Sequence, residues 1–170
     1  MPKTIKMSLS VDSIDAAMGQ INAYRDSLQA KCKLLCERLA NLGMNTAKVT
    51  LNFAKGYYVG DVDCDIRVEE IENGYRIVAD GETALILEFG AGVRLGYGHP
   101  RADEFGMGPG TYPDGKGHWN DPTGWYLPGG HGRHSIGNPP GMMMYNAAKD
   151  IRAAIERTVR EVFAADQSGT

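Results

Sequence analysis

The stretch VDSIDAAMGQINAYRDSLQAKCKLLCERLANLG, Val11 to Gly43, decides the fold because it carries the longest regular pattern in the chain. Apolar residues recur there every three or four positions, as on one face of an α-helix. They are Ile14, Met18, Ile21, Leu28, Cys32, Leu35, Leu39 and Leu42. Ser10 or Asp12 can cap the start, and Gly43 can end the helix in a left-handed conformation. The pattern predicts an amphipathic helix over 12–43, roughly 45 Å long, that lies across a sheet or forms a helix–helix seam.

Alternating apolar and polar residues follow this helix and predict a small antiparallel sheet of three or four strands over 46–79. The first strand is expected at Ala47–Phe53 and the second at Val62–Val68. Asn73-Gly74 is a typical hairpin turn, because both residues tolerate positive φ.

Three aspartates occupy alternate positions around the second predicted strand, namely Asp61, Asp63 and Asp65. Side chains two apart on a strand share one face of its sheet. They are therefore expected to form an acidic stripe, which suits a solvated face better than a focused cation site.

In the second half of the chain, a long irregular segment separates a short predicted element from a predicted C-terminal helix. Residues 81–89 fit a short helix or a strand. The 52 residues of 90–141 hold 15 of the 22 glycines and seven of the eight prolines, which predicts an extended loop. An apolar stripe then predicts a C-terminal helix over 142–165. The whole chain, 1–170, is expected to form one α+β domain.

Composition excludes several classes of protein. The chain has 170 residues, 42% hydrophobic residues and a formal net charge of -3, which argues against a protein that coats nucleic acid. No apolar run approaches the roughly 20 residues needed to cross a bilayer, and no secretory signal is visible. Three cysteines without an export signal are expected to be reduced thiols.

The loop also concentrates residue types used in catalysis and metal binding. The candidate metal ligands are His118, Asp121, His131 and His134. Their spacing matches no common zinc signature, and no cysteine is near. The candidate nucleophiles, beside a His118–Asp121 pair, are Ser135, Cys36 and Cys64, but no nucleophile elbow precedes a helix. We therefore expect no catalytic residue, metal or cofactor.

Large aromatic side chains distinguish this loop from a plain disordered linker. They include Tyr97, Trp119, Trp125 and Tyr126. Such residues are enriched where proteins bind each other, so we expect the loop to contact another subunit or partner.

Several short motifs, in this order along the chain, carry a resemblance to a known family. They are EFGAG (88–92), GHP (98–100), GHW (117–119), WYLP (125–128), and PGMMMYNA (140–147) at the start of the last helix. From about residue 10 to 164 the chain resembles the tail-completion or head–tail joining proteins of long-tailed bacteriophages. In that family an EFG element precedes a variable loop, and a P-x-x-x-M-Y-N-A element begins the C-terminal helix.

The resemblance implies a structural virion component that assembles in the host bacterial cytoplasm. Family members form rings, typically hexamers, in the neck between the capsid connector and the tail, where DNA only passes through. The implied partners are further copies and the adaptor or stopper, tail-terminator and tail-tube proteins, with no membrane and no catalytic residues. It also favours a short helix before EFG. Glu88 and Phe89 join the loop aromatics as expected interface residues, and the three aspartates are candidates to line the channel.

Two other functions stay open at this point. One is a tail terminator or other tail-tube component, which differs in the ring it contacts. The other, from a different class, is a metal-dependent hydrolase that uses the histidine-rich loop.

Overall fold

A computed structural model describes residues 4–109, 120–127 and 132–164. The elements are helix α1 (Val11–Lys55), strands β1 (Asp65–Ile71) and β2 (Gly74–Asp80), helix α2 (Ala84–Phe89), a 3₁₀ turn (Asp103–Phe105), strands β3 (Trp125–Tyr126) and β4 (His134–Ser135), and helix α3 (Met143–Ala164). The predicted α+β class and the long helices at both ends of the chain are confirmed. Residue 165, the predicted last residue of the C-terminal helix, lies outside the described residues.

Helix α1 is longer than predicted, with 45 residues and a length of about 68 Å. The Ser10 side chain caps its start by accepting a hydrogen bond from N of Ser13. The predicted end at Gly43 is wrong, because this glycine lies buried where α1 crosses α3. A Cβ at this position would come within 2.5 Å of Ile151 Cδ1. Gly43 therefore allows close helix packing instead of ending the helix.

The first predicted strand is also wrong, since residues 47–53 continue α1. Ala47, Leu51 and Ala54 are buried on one face, and their spacing of four and three residues is that of a helix. The alternation of apolar and polar residues over 47–53 also fits a strand, which is why a strand was predicted there. Packing against α3 selects the helix, and it leaves Val49 and Phe53 exposed.

Strands β1 and β2 form an antiparallel hairpin in which Ile71 pairs with Gly74. The turn is thus made by Glu72 and Asn73, one residue earlier than predicted. In the part of the chain that the structure describes, the expected three- or four-stranded sheet is replaced by two separate two-stranded ladders, β1–β2 and β3–β4.

One hydrophobic core unites α1, the hairpin, α2 and the start of α3. Its buried members are Ala47, Leu51, Ala54, Ile66, Leu87, Met143 and Ala147. A two-stranded hairpin is marginally stable by itself, so its packing on α1 supplies the buried face that it needs. Leu87 and Met143 place the end of α2 beside the first turn of α3.

Candidate functional site

The carboxylate of Glu88 lies at the start of α3 and accepts hydrogen bonds from two backbone N–H groups. Met144 N is 2.8 Å from Oε2, and Tyr145 N is 3.0 Å from Oε1. The first N–H groups of a helix have no partner inside the helix, and the helix dipole favours negative charge there. Glu88, only 7% exposed, therefore fastens the end of α2 to the start of α3.

His99 completes this arrangement from the loop. Its Nε2 lies 3.2 Å from Oε1 of Glu88, and its Nδ1 accepts a hydrogen bond of 3.2 Å from N of Arg101. Because Nδ1 accepts, the neutral tautomer that fits these contacts carries its hydrogen on Nε2 and donates to Glu88. The ring packs 4.3 Å from Phe89 and 5.7 Å from Tyr145, measured between centroids.

These side chains form a group that we name the Glu88 cluster. Its members are Glu88, Phe89, His99, Met144 and Tyr145. Both carboxylate oxygens of Glu88 and both ring nitrogens of His99 are occupied by contacts within the chain. The cluster thus connects the end of α2, the loop and the start of α3 through side-chain contacts.

The two ends of the Gly/Pro-rich loop, 90–141, are paired beside the Glu88 cluster. Ala91 and Asn138 exchange two backbone hydrogen bonds of 2.9 and 3.1 Å. The Asn138 side-chain amide also donates to Ile86 O at 3.1 Å. Gly137 has a φ of 103°, and a Cβ there would lie 2.1 Å from Ala91 O. This close approach requires glycine, and the loop is closed at its base.

The β3–β4 ladder is held against the rest of the chain at two places. Arg133 Nη2 lies 3.1 Å from Asp61 Oδ2, and its Nη1 donates to Val59 O at 3.3 Å. At the second place, Trp125 packs so close to Gly92 that a Cβ on the glycine would be 3.1 Å from the indole ring. The β3–β4 ladder is therefore attached to the residues just after α2 and to the segment after α1.

The candidate metal ligands do not meet in the described residues. His118 and His131 lie outside them. Asp121 Oδ1 accepts from the backbone N and the hydroxyl of Thr123 at 2.8 and 2.7 Å, which is a local turn. His134 is exposed, and its ring contacts a neighbouring tyrosine. Within the described ranges, no three histidine, cysteine, aspartate or glutamate side chains are grouped as metal ligands.

The three candidate nucleophiles lie in different environments. The Ser135 hydroxyl is buried and accepts from N of Gly137 at 3.1 Å. Cys36 is exposed on α1. Burial raises the pKa of the half-buried Cys64 thiol, which lowers its thiolate fraction, whereas a cysteine nucleophile needs the opposite.

The six residues expected at an interface have different surroundings. Two are exposed, one is half-buried, two are buried, and one lies outside the described residues. In that order they are Tyr97 and Tyr126, Trp125, Glu88 and Phe89, and Trp119. The buried pair has little surface left for a partner, and its contacts are those of the Glu88 cluster. Tyr97 and Tyr126 have the accessible surface that an interface needs.

The predicted acidic stripe is wrong, because β1 begins only at Asp65 and the other two aspartates precede it. Asp61 pairs with Arg133. Asp63 Oδ2 accepts from N of Glu82 at 2.9 Å, just before α2. The three carboxylates therefore do not share one face of a sheet, and a channel-lining role for them stays a prediction.

Two residues of this site, His99 and Asn138, had no predicted role. Each stands next to a proline in one of the family-like motifs, in GHP and in the residues just before PGMMMYNA. That position was the available signal. Their partners lie 11 and 52 residues away along the chain, and local periodicity contains no information about contacts of that range.

Comparison with known proteins yields no family model, no curated protein and no solved structure that matches this chain. No helix in the described part of the chain is both long enough and apolar enough to cross a membrane.

Proposed function

We propose that this protein is a structural component of a long-tailed phage virion, a head–tail joining or tail-completion protein that forms a ring in the neck. The observation that carries the proposal is the Glu88 cluster. Residues from three separate motifs of the resemblance (EFG, GHP and the M-Y of the last helix) contact each other in it. Because residues of these motifs pack against each other in one buried cluster, the fold requires the motifs to occur together.

Binding is the activity that the geometry supports. Both carboxylate oxygens of Glu88 and both ring nitrogens of His99 have hydrogen-bond partners within the chain. Among the metal and nucleophile candidates, Asp121 and Ser135 accept hydrogen bonds from neighbouring residues. The described residues of the loop offer aromatic surface to solvent at Tyr97, Phe105 and Tyr126. Aromatic side chains on a fixed support are efficient binding anchors, because little conformational entropy is lost when they are covered.

The proposed partners are further copies of this chain and the neighbouring rings of the neck, namely an adaptor or stopper and a tail terminator or tail tube. Because the two ends of the loop are paired, the loop that carries these aromatic residues is anchored at one place on the domain.

The test is deletion of the coding sequence from the phage genome that carries it. We expect DNA-filled heads and complete tails that stay unjoined under the electron microscope. Tails of uncontrolled length would instead indicate a tail terminator, and normal infectious particles would refute a neck role. Complementation with Tyr126→Ala should restore fewer joined particles than the wild-type gene, while urea unfolding of the purified variant stays unchanged.

A further inference from the structure

Helix α1 extends well beyond the helix and the strands that pack on it in the described part of the chain. Helix α3 runs antiparallel to it, since Thr46 Oγ1 donates to Asp150 at 2.8 Å and Lys31 Nζ lies 5.8 Å from the centroid of the Phe163 ring. The hairpin reaches a similar level, where Lys33 pairs with Glu70 at 2.6 Å. Residues 11–28, which we name the arm, therefore extend about 27 Å further.

The arm carries an apolar stripe on one face. Its members, spaced by three, four or seven residues, are Val11, Ile14, Met18, Ile21 and Leu28, of which all but the half-buried Ile14 are exposed. Met18 and Ile21 are each 55% exposed, and the only buried residue among those of the arm is Ala17. An amphipathic helix normally buries such a stripe, and contiguous exposed apolar surface marks an interaction site.

A second apolar stripe lies at the other end of the same helix and includes Tyr57, two residues beyond the last residue of α1. Val49, Phe53 and Tyr57 follow each other at intervals of four residues, and all three are exposed, Phe53 to 72%. We name them the distal stripe. Ile21 and Phe53 are about 48 Å apart along the helix. The two stripes of one chain therefore cannot cover each other.

Charges beside the two stripes have opposite signs. Asp12 and Asp15 lie in the arm, whereas Lys48 and Lys55 lie next to the distal stripe. None of these four forms an ion pair with another described residue. Arg25, the cation of the arm, is already bound to Asp26 at 3.0 Å. Contact between an arm and a distal stripe would bring opposite charges together. Contact between two arms, or between two distal stripes, would bring charges of the same sign together.

We propose that the arm stripe of one copy of this chain packs on the distal stripe of the next copy. The two surfaces differ, so the contact is heterologous and leaves one free stripe of each kind at the ends of every growing assembly. Such contacts produce a ring when the rotation between copies closes. The inference rests on the proposed function only for that closure, because the pairwise contact can be tested with the isolated protein.

Two double variants test the contact in the full chain. Met18→Asp with Ile21→Asp disables the arm stripe, and Val49→Asp with Phe53→Asp disables the distal stripe. Sedimentation velocity should show assemblies larger than dimers for the wild type at high protein concentration, and monomers for each variant alone. An equimolar mixture of the two variants should form a one-to-one dimer and nothing larger, because it retains one intact stripe of each kind.

The control is Ile155→Asp, a change of the same chemistry at an exposed residue of α3, which should associate like the wild type. Circular dichroism should show all variants folded, since the mutated residues are solvent-exposed. A wild type that stays monomeric at its highest soluble concentration, a variant that still assembles, or a mixture that stays monomeric would overturn the proposal. A ring that assembles through these stripes but is absent from virions would refute the neck function alone.

Discussion

Replacing Glu88 with alanine is expected to destabilise the folded chain strongly. Loss of a helix cap costs about 1 kcal/mol. A carboxylate in a buried position at a helix N-terminus contributes up to about 2 kcal/mol more through the helix dipole. The N–H of His99 also loses its buried acceptor, at about 1 kcal/mol. We therefore expect Glu88→Ala to lower the free energy of unfolding by about 3–4 kcal/mol.

Glu88→Gln separates charge from shape in this prediction. The amide keeps the volume of the side chain and one acceptor oxygen for α3. However, it loses the negative charge, and in either orientation its NH₂ group faces a hydrogen-bond donor, Met144 N at one position or Tyr145 N and His99 Nε2 at the other. We expect about half of the loss caused by alanine. Glu82→Ala is the matched control, because no described residue accepts from or donates to its exposed side chain, and it should stay within about 0.5 kcal/mol of the wild type.

Urea unfolding followed by circular dichroism measures these differences through the midpoint and slope of the transition. The result that would refute the reasoning is a Glu88→Ala protein with wild-type stability. Glu88 would then not act as the cap of α3. A loss confined to binding of other copies or partners, with unfolding unchanged, would return Glu88 to the role of an interface residue.

Three further predictions concern other parts of the fold. Gly137→Ala should destabilise by at least about 2 kcal/mol in urea, through strain and a backbone clash, whereas Gly98→Ala, also at positive φ but in open space, should cost clearly less. The two exposed cysteines of α1 should react with iodoacetamide faster than Cys64, because burial raises the pKa of the Cys64 thiol. Mass spectrometry measures the three rates, and equal rates would count against that burial. A hydrogen bond from Arg76 lowers the pKa of Glu69 below 4.5. The stabilisation from its charge is therefore complete above that pH and is lost as the pH falls through the folded-state pKa, so Glu69→Gln should weaken the acid dependence of unfolding.

The spacing of apolar residues was enough to predict the elements that bury one regular face. The C-terminal helix and the start of α1 follow directly from apolar spacing and the Ser10 cap. The same pattern failed at Gly43, because a glycine that ends a helix and a glycine that admits a crossing helix look identical in sequence. Residues 47–53 fit both periods, and only the presence of α3 selects the helical one. Tertiary packing decides such cases.

The Glu88 cluster shows why the site was harder to predict than the fold. Its central hydrogen bond joins Glu88 to Met144, 56 positions away, across a loop without regular spacing. No periodicity spans that distance, so the motifs could be recognised without revealing that they touch. Their contact constrains the loop at its two ends, where Ala91 and Asn138 must stay paired and Gly137 must stay glycine. Further along the loop, His99 contacts Glu88, Trp125 packs against Gly92, and Arg133 pairs with Asp61. Each of these contacts joins residues that are far apart in sequence, and for that reason local pattern could predict the loop but could not predict how the loop is attached to the domain.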